Sequence, residues 1–301
     1  MTRDPTIAEI QRRLLRWYAQ HRRELPWRGQ TDPYAILVSE VMLQQTGVER
    51  VRTTYEEFLA RFPTFEALAD APRHEVLRAW AGLGYNRRAV NLHETARIVV
   101  RDYGGRLPSD PDELRHLPGI GPYTLAALRS FVNQENVAAL DTNVRRVVGR
   151  LYFGPDAPAS QIPDAAAELV PAGQSSTWNQ ALMDFGSLQC TATRPLCLIC
   201  PLADVCLSAG LLDAIPTERK VAERSEPFVG SRRYYRGRLV AYLRDLPPNA
   251  LVSLPVAATA VWPNQTEYDL AWLGELARSL ASEGLACVVE LADETRIGPP
   301  Q

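Results

Sequence analysis

Cys190, Cys197, Cys200 and Cys206 fall within a short stretch of the chain, and the fifth cysteine, Cys287, stands far downstream. A disulfide scaffold usually spreads its cysteines along a short secreted chain, so a tight cluster reads as a metal site. Four thiolates bind either a zinc ion or an iron–sulfur cluster. Zinc sites more often use two Cys-x2-Cys pairs across a longer loop, and the run here is the asymmetric Cys-x6-Cys-x2-Cys-x5-Cys.

Two carboxylates also stand out. Glu40 sits within Ile36-Leu37-Val38-Ser39-Glu40-Val41-Met42-Leu43, a helical segment apolar on most faces. Glutamate is seldom buried unless paired, and burial raises its pKa, which makes a proton donor near neutral pH. A solvated face or a structural ion pair would also explain it. Asp141 follows the apolar run Val137 to Leu140 and precedes Thr142-Asn143-Val144-Arg145-Arg146. An aspartate there serves as a helix N-cap. The cap is compatible with a second use, the stabilisation of a developing sugar cation while a glycosidic bond breaks.

A third feature is Leu117-Pro118-Gly119-Ile120-Gly121 between two helical segments. Gly119 and Gly121 let another backbone approach closely, and the next helix presents free N–H groups and the positive end of its dipole. This is the pattern of a helix–hairpin–helix that grips a DNA phosphate without reading sequence. The alternative is a tight turn that needs glycine for its geometry alone.

These residues are carried by a helical body. Apolar periodicity and cap signals place helices over 6–21, over 34–59 with a break near Thr46-Gly47, after Thr64, and over 74–81, 87–103, 111–116, 123–133, 143–152, 164–170 and 179–188. Residues 217–231 are polar and read as a linker. Beyond them, helices over 236–246, 254–261 and 268–282 precede a hairpin of 286–291 with 295–297, a winged-helix-like pattern. The expected domains are therefore 1–216, the linker 217–231 and a small module over 232–301. Ser231-Arg232-Arg233-Tyr234-Tyr235-Arg236 mixes cations with aromatics, which suits either a DNA backbone or a solvated helix start.

The 301 residues contain 33 basic and 35 acidic side chains, 46% apolar and 23% charged residues, which argues against a disordered or fibrous chain. A net charge of −2 is not the footprint of a bulk polyanion binder, so DNA binding must come from local patches. No apolar run reaches the roughly 20 residues of a membrane helix. The amino terminus has no apolar signal core, so the expected location is the cytoplasm, with no membrane partner.

Taken together, Leu25 to Arg28 (LPWR), Ser39 to Thr46 (SEVMLQQT), Gly82 to Tyr85 (GLGY), Leu117 to Thr124 (LPGIGPYT) and Leu140 to Val147 (LDTNVRRV) resemble the helix–hairpin–helix DNA glycosylase superfamily, most closely its MutY-type adenine branch. The cysteine spacing resembles the 4Fe–4S loop of that group. The resemblance implies a mostly α fold of two helical subdomains with an iron–sulfur loop. It implies Asp141 as the catalytic aspartate, Glu40 as the acid that protonates the seven-position nitrogen of an extruded adenine, and Asn143 as a hydrogen-bonding partner near Asp141. Tyr123 stands where the bifunctional endonuclease III branch has a Schiff-base lysine, so the implied enzyme is monofunctional and stops at an abasic site.

The implied DNA- and base-facing residues are Trp27, Arg28, Leu43, Gln44, Gln45, Asn86, Arg87, Gly119, Gly121 and Asp184. Asn86 replaces the second tyrosine common in adenine-specific members, and Asp184 stands where glutamate is frequent. A thymine glycosylase branch acting on G·T mismatches shares the tyrosine and the Leu182-Met183-Asp184-Phe185 type of segment, while Gln44-Gln45 favours adenine. The expected substrate is a duplex carrying a mismatch or an oxidised base, the expected state a monomer, and the expected reaction the removal of adenine opposite 8-oxoguanine or guanine. A thymine glycosylase and a non-catalytic damage binder are the alternatives. The module over 232–301 lacks the Phe-Ser-His tripeptide by which the carboxy-terminal domain of many MutY-type proteins reads 8-oxoguanine.

Overall fold

A computed structural model describes residues 7–211, 227–263 and 267–301. The chain forms two compact units, each drawn from two separate stretches. The first takes residues 1–40 and 108–220, the second 41–107 and 221–301. Most of the linker expected over 217–231, residues 217–226, lies outside the described residues.

In the first unit, α1 (Ile7–His21), α9 (Thr142–Tyr152), α10 (Ile162–Glu168) and α11 (Ser175–Leu188) share one core. Ile10, Leu14, Trp17 and Tyr18 of α1 meet Val144, Val147, Val148 and Leu151 of α9 and Trp178, Leu182 and Phe185 of α11. The recurrence of apolar residues three and four apart puts each set on one helical face. Glycine is required at Gly186: a Cβ built there would lie 2.6 Å from the Cβ of Asn143, so its absence lets α11 pass close to the start of α9. Helix α7 (Pro111–His116) and helix α8 (Pro122–Phe131) flank the turn 117–121, where Gly119 has φ +82°. The hairpin expected from the sequence is thus formed.

Helix α2 (Pro33–Leu43) is buried on every face from Tyr34 to Met42, as expected of a helix apolar all round. It ends in the break foreseen near Thr46-Gly47. Then α3 (Val48–Arg61), α4 (Phe65–Asp70), α5 (Arg73–Ala79) and α6 (Arg87–Tyr103) build the helical part of the second unit. Thr64 caps α4 by accepting the Ala67 N–H at 3.2 Å. The two GLGY glycines, Gly82 and Gly84, both have positive φ in the turn before α6.

The carboxy-terminal module belongs to this second unit. Its order is α12 (Arg232–Asp245), β1 (Val252–Ser253), α13 (Leu254–Val261), α14 (Leu270–Ser282), β2 (Cys287–Glu290) and β3 (Thr295–Gly298). The hairpin pairs Val288 with Ile297, and β1 adds to the other edge of β3 through Val252 and the same Ile297, giving the order β1-β3-β2. This three-helix, three-strand succession is the winged-helix-like arrangement expected, with β1 added. Two helices begin one turn earlier than the apolar pattern suggests. The polar run Ser175-Ser176-Thr177 forms the first turn of α11, and Ser231 caps α12 at Tyr234 N, 3.2 Å away. The module is tied to α5 by Arg78, which donates to the carbonyls of Arg244 at 2.9 Å and Leu246 at 2.6 Å.

Candidate active site and cluster loop

The first unit brings the predicted catalytic side chains together. Asp141 caps α9: Oδ1 accepts the Val144 N–H at 2.6 Å and Oδ2 accepts from Asn143 Nδ2 at 2.9 Å. Both oxygens are therefore fixed at the positive end of a helix. Glu40 is 5% exposed, and the Tyr123 hydroxyl donates to its Oε2 at 2.8 Å. Burial pushes the Glu40 carboxyl up to about 7, opposed by the Tyr123 hydrogen bond and the Arg28 charge and reinforced by the charge of Asp141. Burial raises the Tyr123 hydroxyl well above its usual range, with the charge of Glu40 adding to the rise. Tyr123 thus stays a neutral donor, and a carboxyl near neutrality can carry a proton and give it up.

Asn179 holds Asp141 in place from behind. It is wholly buried on α11, accepts the Ala139 N–H at 2.9 Å, and donates to Val137 O at 2.8 Å and Ser130 Oγ at 2.9 Å. The extended stretch leading to Asp141 is thereby stapled to α8 and α11. Arg146 donates to Asn143 Oδ1 at 2.8 Å, Gly186 O at 2.6 Å and Cys190 O at 2.9 Å, so the Asp141 carboxylate, α11 and the start of the cysteine loop share one hydrogen-bonded chain. Sequence reading did not single out Asn179 or Arg146 as site residues. The signal for Asn179 was its place on the apolar face of a helix. Arg146 reads as an ordinary cation.

Trp27 is buried. Arg28 is half-buried and donates to Asp184 Oδ1 at 2.9 Å. Asp184 is wholly buried and also takes Arg23 Nη2 at 2.7 Å, Arg23 Nε at 2.9 Å and the Arg23 backbone N–H at 3.0 Å. A buried carboxylate needs this many donors to offset its lost hydration. Its oxygens are engaged by the two arginines, so it acts on its surroundings through Arg28. Gly121 has an ordinary φ of −84°, and a Cβ built there meets nothing within 4 Å. Neither the backbone nor the packing demands glycine at this position. What its absent side chain leaves is open access to the first N–H groups of α8.

The other expected DNA-facing residues lie in the second unit. Gln45 and Arg87 are exposed, and Leu43, Gln44 and Asn86 are half-buried. Gln45 has φ +55° in the turn after α2.

Cys190, Cys197, Cys200 and Cys206 line one cavity backed by Val147, Leu151, Phe185 and Leu202, and none forms a disulfide. Among the described residues no three cysteine, histidine or acidic side chains converge on one point; the four thiols ring the cavity instead. Burial pushes the Cys200 thiol up to about 11 and also raises Cys206, and both are pushed further by neighbouring thiols. Such a nest disfavours lone thiolates and suits a cationic iron–sulfur core. Outer donors are present: the Leu202 N–H reaches Cys200 Sγ at 3.4 Å, and Arg150 Nη1 lies 3.5 Å from Cys190 Sγ.

Residues 38–172 match the HhH-GPD superfamily of base excision DNA repair proteins, and residues 190–206 match the iron–sulfur binding domain of endonuclease III. The chain is 41% identical to the adenine DNA glycosylase of Mycolicibacterium smegmatis over 95% of its own length and 93% of the relative's. The chain belongs to the helix–hairpin–helix base excision DNA repair superfamily. Among solved structures it resembles a thermostable thymine-DNA glycosylase, with 31% identity, a TM-score of 0.64, and coverage of 69% of this chain and 97% of that one. Endonuclease III trapped as a covalent intermediate with DNA aligns with 25% identity and a TM-score of 0.58, covering 67% and 96%. The superfamily's DNA-binding fold and its 4Fe–4S cofactor are therefore those of this protein. Among the described residues no helix is long and apolar enough to cross a membrane.

Proposed function

We propose that this protein is a monofunctional DNA glycosylase that removes adenine mispaired with 8-oxoguanine or guanine and leaves an abasic site. The observation that carries the reading is the Glu40 carboxyl, bonded to Tyr123 at 2.8 Å and raised to about 7 chiefly by its burial. One acid and one charge-stabilising carboxylate are the equipment for cleaving a glycosidic bond through an oxocarbenium-like state. Tyr123 engages Oε2, so Oε1 carries the proton that passes to the seven-position nitrogen of the everted adenine. The bond from the sugar then breaks with its electron pair leaving on the base. Asp141 faces the resulting sugar cation, and water adds at the same carbon with loss of a proton. No lysine stands at position 123, so no Schiff base forms there and strand cleavage is weak or absent.

In this reading Trp27, Arg28 and, through Arg28, Asp184 handle the extruded base. Leu43, Gln44, Gln45, Asn86 and Arg87 face the duplex, and Gly119 and Gly121 admit a phosphate to the start of α8. Cys190, Cys197, Cys200 and Cys206 are the four thiolates of the cluster. When bound, the cluster supplies metal–thiolate links that close the loop, while Arg146 and Arg150 fasten that loop to α9. The protein works as a cytoplasmic monomer whose glycosylase residues lie within 1–216 and whose module over 232–301 packs with residues 41–107.

The test is base release from labelled duplexes containing A·8-oxoguanine, A·G, T·G and oxidised pyrimidines. Adenine release is expected, abolished in Asp141→Asn with binding retained and nearly abolished in Glu40→Gln. The Leu182-Met183-Asp184-Phe185 segment, of the type shared with the thymine branch, favours the thymine reading, and release of thymine but not adenine would establish it. Tight binding without any release would leave a damage binder.

A further inference from the structure

Arg88 lies in the first turn of α6 and is 8% exposed. Its two terminal nitrogens are spent almost entirely on main chain, while its Nε is buried without a partner. Nη1 donates to the carbonyls of Val41 at 2.8 Å, Met42 at 2.8 Å and Gln44 at 2.5 Å. Nη2 donates to Leu83 O at 3.3 Å, Gly84 O at 3.1 Å and Thr46 Oγ1 at 2.8 Å. The Thr46 hydroxyl in turn donates to Leu83 O at 3.2 Å. One cation therefore joins two turns far apart in sequence, the one that ends α2 and the one that precedes α6.

The last carbonyls of a helix lack partners and carry the negative end of its dipole. Those at the end of α2 are buried and receive a guanidinium in place of water. Burial lowers Arg88 to about 10, so it remains charged at neutral pH. Only a planar fork can serve both turns. A lysine ammonium has three donors at one point and cannot span them.

Each turn also holds a side chain in an unfavourable backbone region. Gln45 has φ +55° and Tyr85 has φ +45°. Such conformations are unfavourable in a residue other than glycine and persist only where surrounding bonds over-determine them. Both side chains point to solvent, Tyr85 with 59% of its surface exposed. Beneath Tyr85, the Arg88 guanidinium carbon lies 5.6 Å from the ring centre, and the Trp80 ring lies 5.4 Å from the same carbon. The strained residues are thus aimed outward, and their backbone is fastened from within by one buried side chain.

We propose that Arg88 is a positioning residue that welds turns 44–46 and 82–85 into one rigid wedge, whose Gln45 and Tyr85 enter the duplex together and hold it open while the target base is everted. This deepens the glycosylase reading and rests on it. Opening a stacked pair costs free energy, least where the stack is already broken. A wedge matters most for the intact duplex.

The test compares Arg88→Lys with the unaltered holoenzyme on adenine opposite guanine and on adenine opposite an abasic gap. Excision from the intact mismatch should fall by about tenfold or more, and excision opposite the gap by less than about threefold. Thr46→Val, which removes only the hydroxyl shared by the turns, should shift the same ratio in the same direction by a smaller amount. Cluster absorbance and thermal melting monitor folding. Equal losses on both duplexes, or no loss on either, would overturn the proposal. A readout independent of turnover is 2-aminopurine at the target position opposite guanine, whose fluorescence rises on unstacking. Arg88→Lys should lower that rise at saturating protein, and an unchanged signal would overturn the proposal. If the unaltered protein released no base yet gave the fluorescence rise, the glycosylase reading would fail alone, and the variant's signal would still decide the role of Arg88.

Discussion

The proton on Glu40 links chemistry to stability. An unfolded chain releases it in the ordinary glutamate range, near 4.5, while the folded protein keeps it up to about 7. Between those values the folded state holds a proton that the unfolded state has lost, so stability is full below the range and falls as pH rises through it. The difference amounts to about 3 kcal/mol at most. Glu40→Gln should therefore be the more stable protein at pH 8 and gain little at pH 4, as denaturant melts at the two values will show. Single-turnover excision by the unaltered protein should decline with rising pH above about 7, by about tenfold per unit once Glu40 is ionised. In Glu40→Gln the residual rate should lack that limb. A profile with no decline above neutrality would remove the acid from the mechanism.

What the sequence shows at this scale is conflict between a residue and its neighbours. A carboxylate inside an apolar helix and an aspartate at a helix start announce themselves, and Glu40 and Asp141 were legible for that reason. Arg88 and Arg146 were not. An arginine on an amphipathic helix looks like surface, and their partners are main-chain carbonyls from remote segments, to which side-chain patterns give no clue.

Among the elements, the approach of α11 to the start of α9 carries the geometry around Asp141. A Cβ at Gly186 would meet Asn143 Cβ at 2.6 Å, Asn143 Cα at 3.2 Å and Arg146 Nη2 at 3.3 Å. One of those neighbours is backbone and the other two belong to the Asp141 network, so Gly186→Ala has to displace the site. Overpacking of this kind costs about 1–3 kcal/mol. Excision should fall more than DNA affinity does, which single-turnover rates and binding titrations on the same duplex will separate. Helix positions were legible because apolar spacing and caps such as Thr64 act locally. Strand β1 was not, because its two residues carry no alternation of their own and exist as a strand only through pairing with β3.

For the whole molecule, the partition into units follows contacts that no local pattern foretells. The module reads in the sequence as a separate tail, and yet it completes the unit that holds α3 to α6. Arg78 is one of its ties, and Gly284 is another point of approach, where a Cβ would lie 3.1 Å from Arg73 Nη1 and 3.2 Å from Val90 Cγ1. Arg78→Ala should cost about 1–3 kcal/mol, as expected for charge-assisted hydrogen bonds. Hydrogen exchange should quicken in the last turn of α12 and stay unchanged in α9 and α11. Uniform quickening throughout would mean that the tie supports more than the module.

The interleaving of the two units also sets an order on synthesis. Once residue 211 has left the ribosome, every described part of the first unit has been made, including the cysteine loop and the helices it rests on. Residues 41–107 emerge earlier but must wait for residues 227–301, because α5 has no α12 to rest on until then. The residues that hold the cluster have thus all emerged before residues 227–301 have, while 41–107 are still without the stretch that completes their unit.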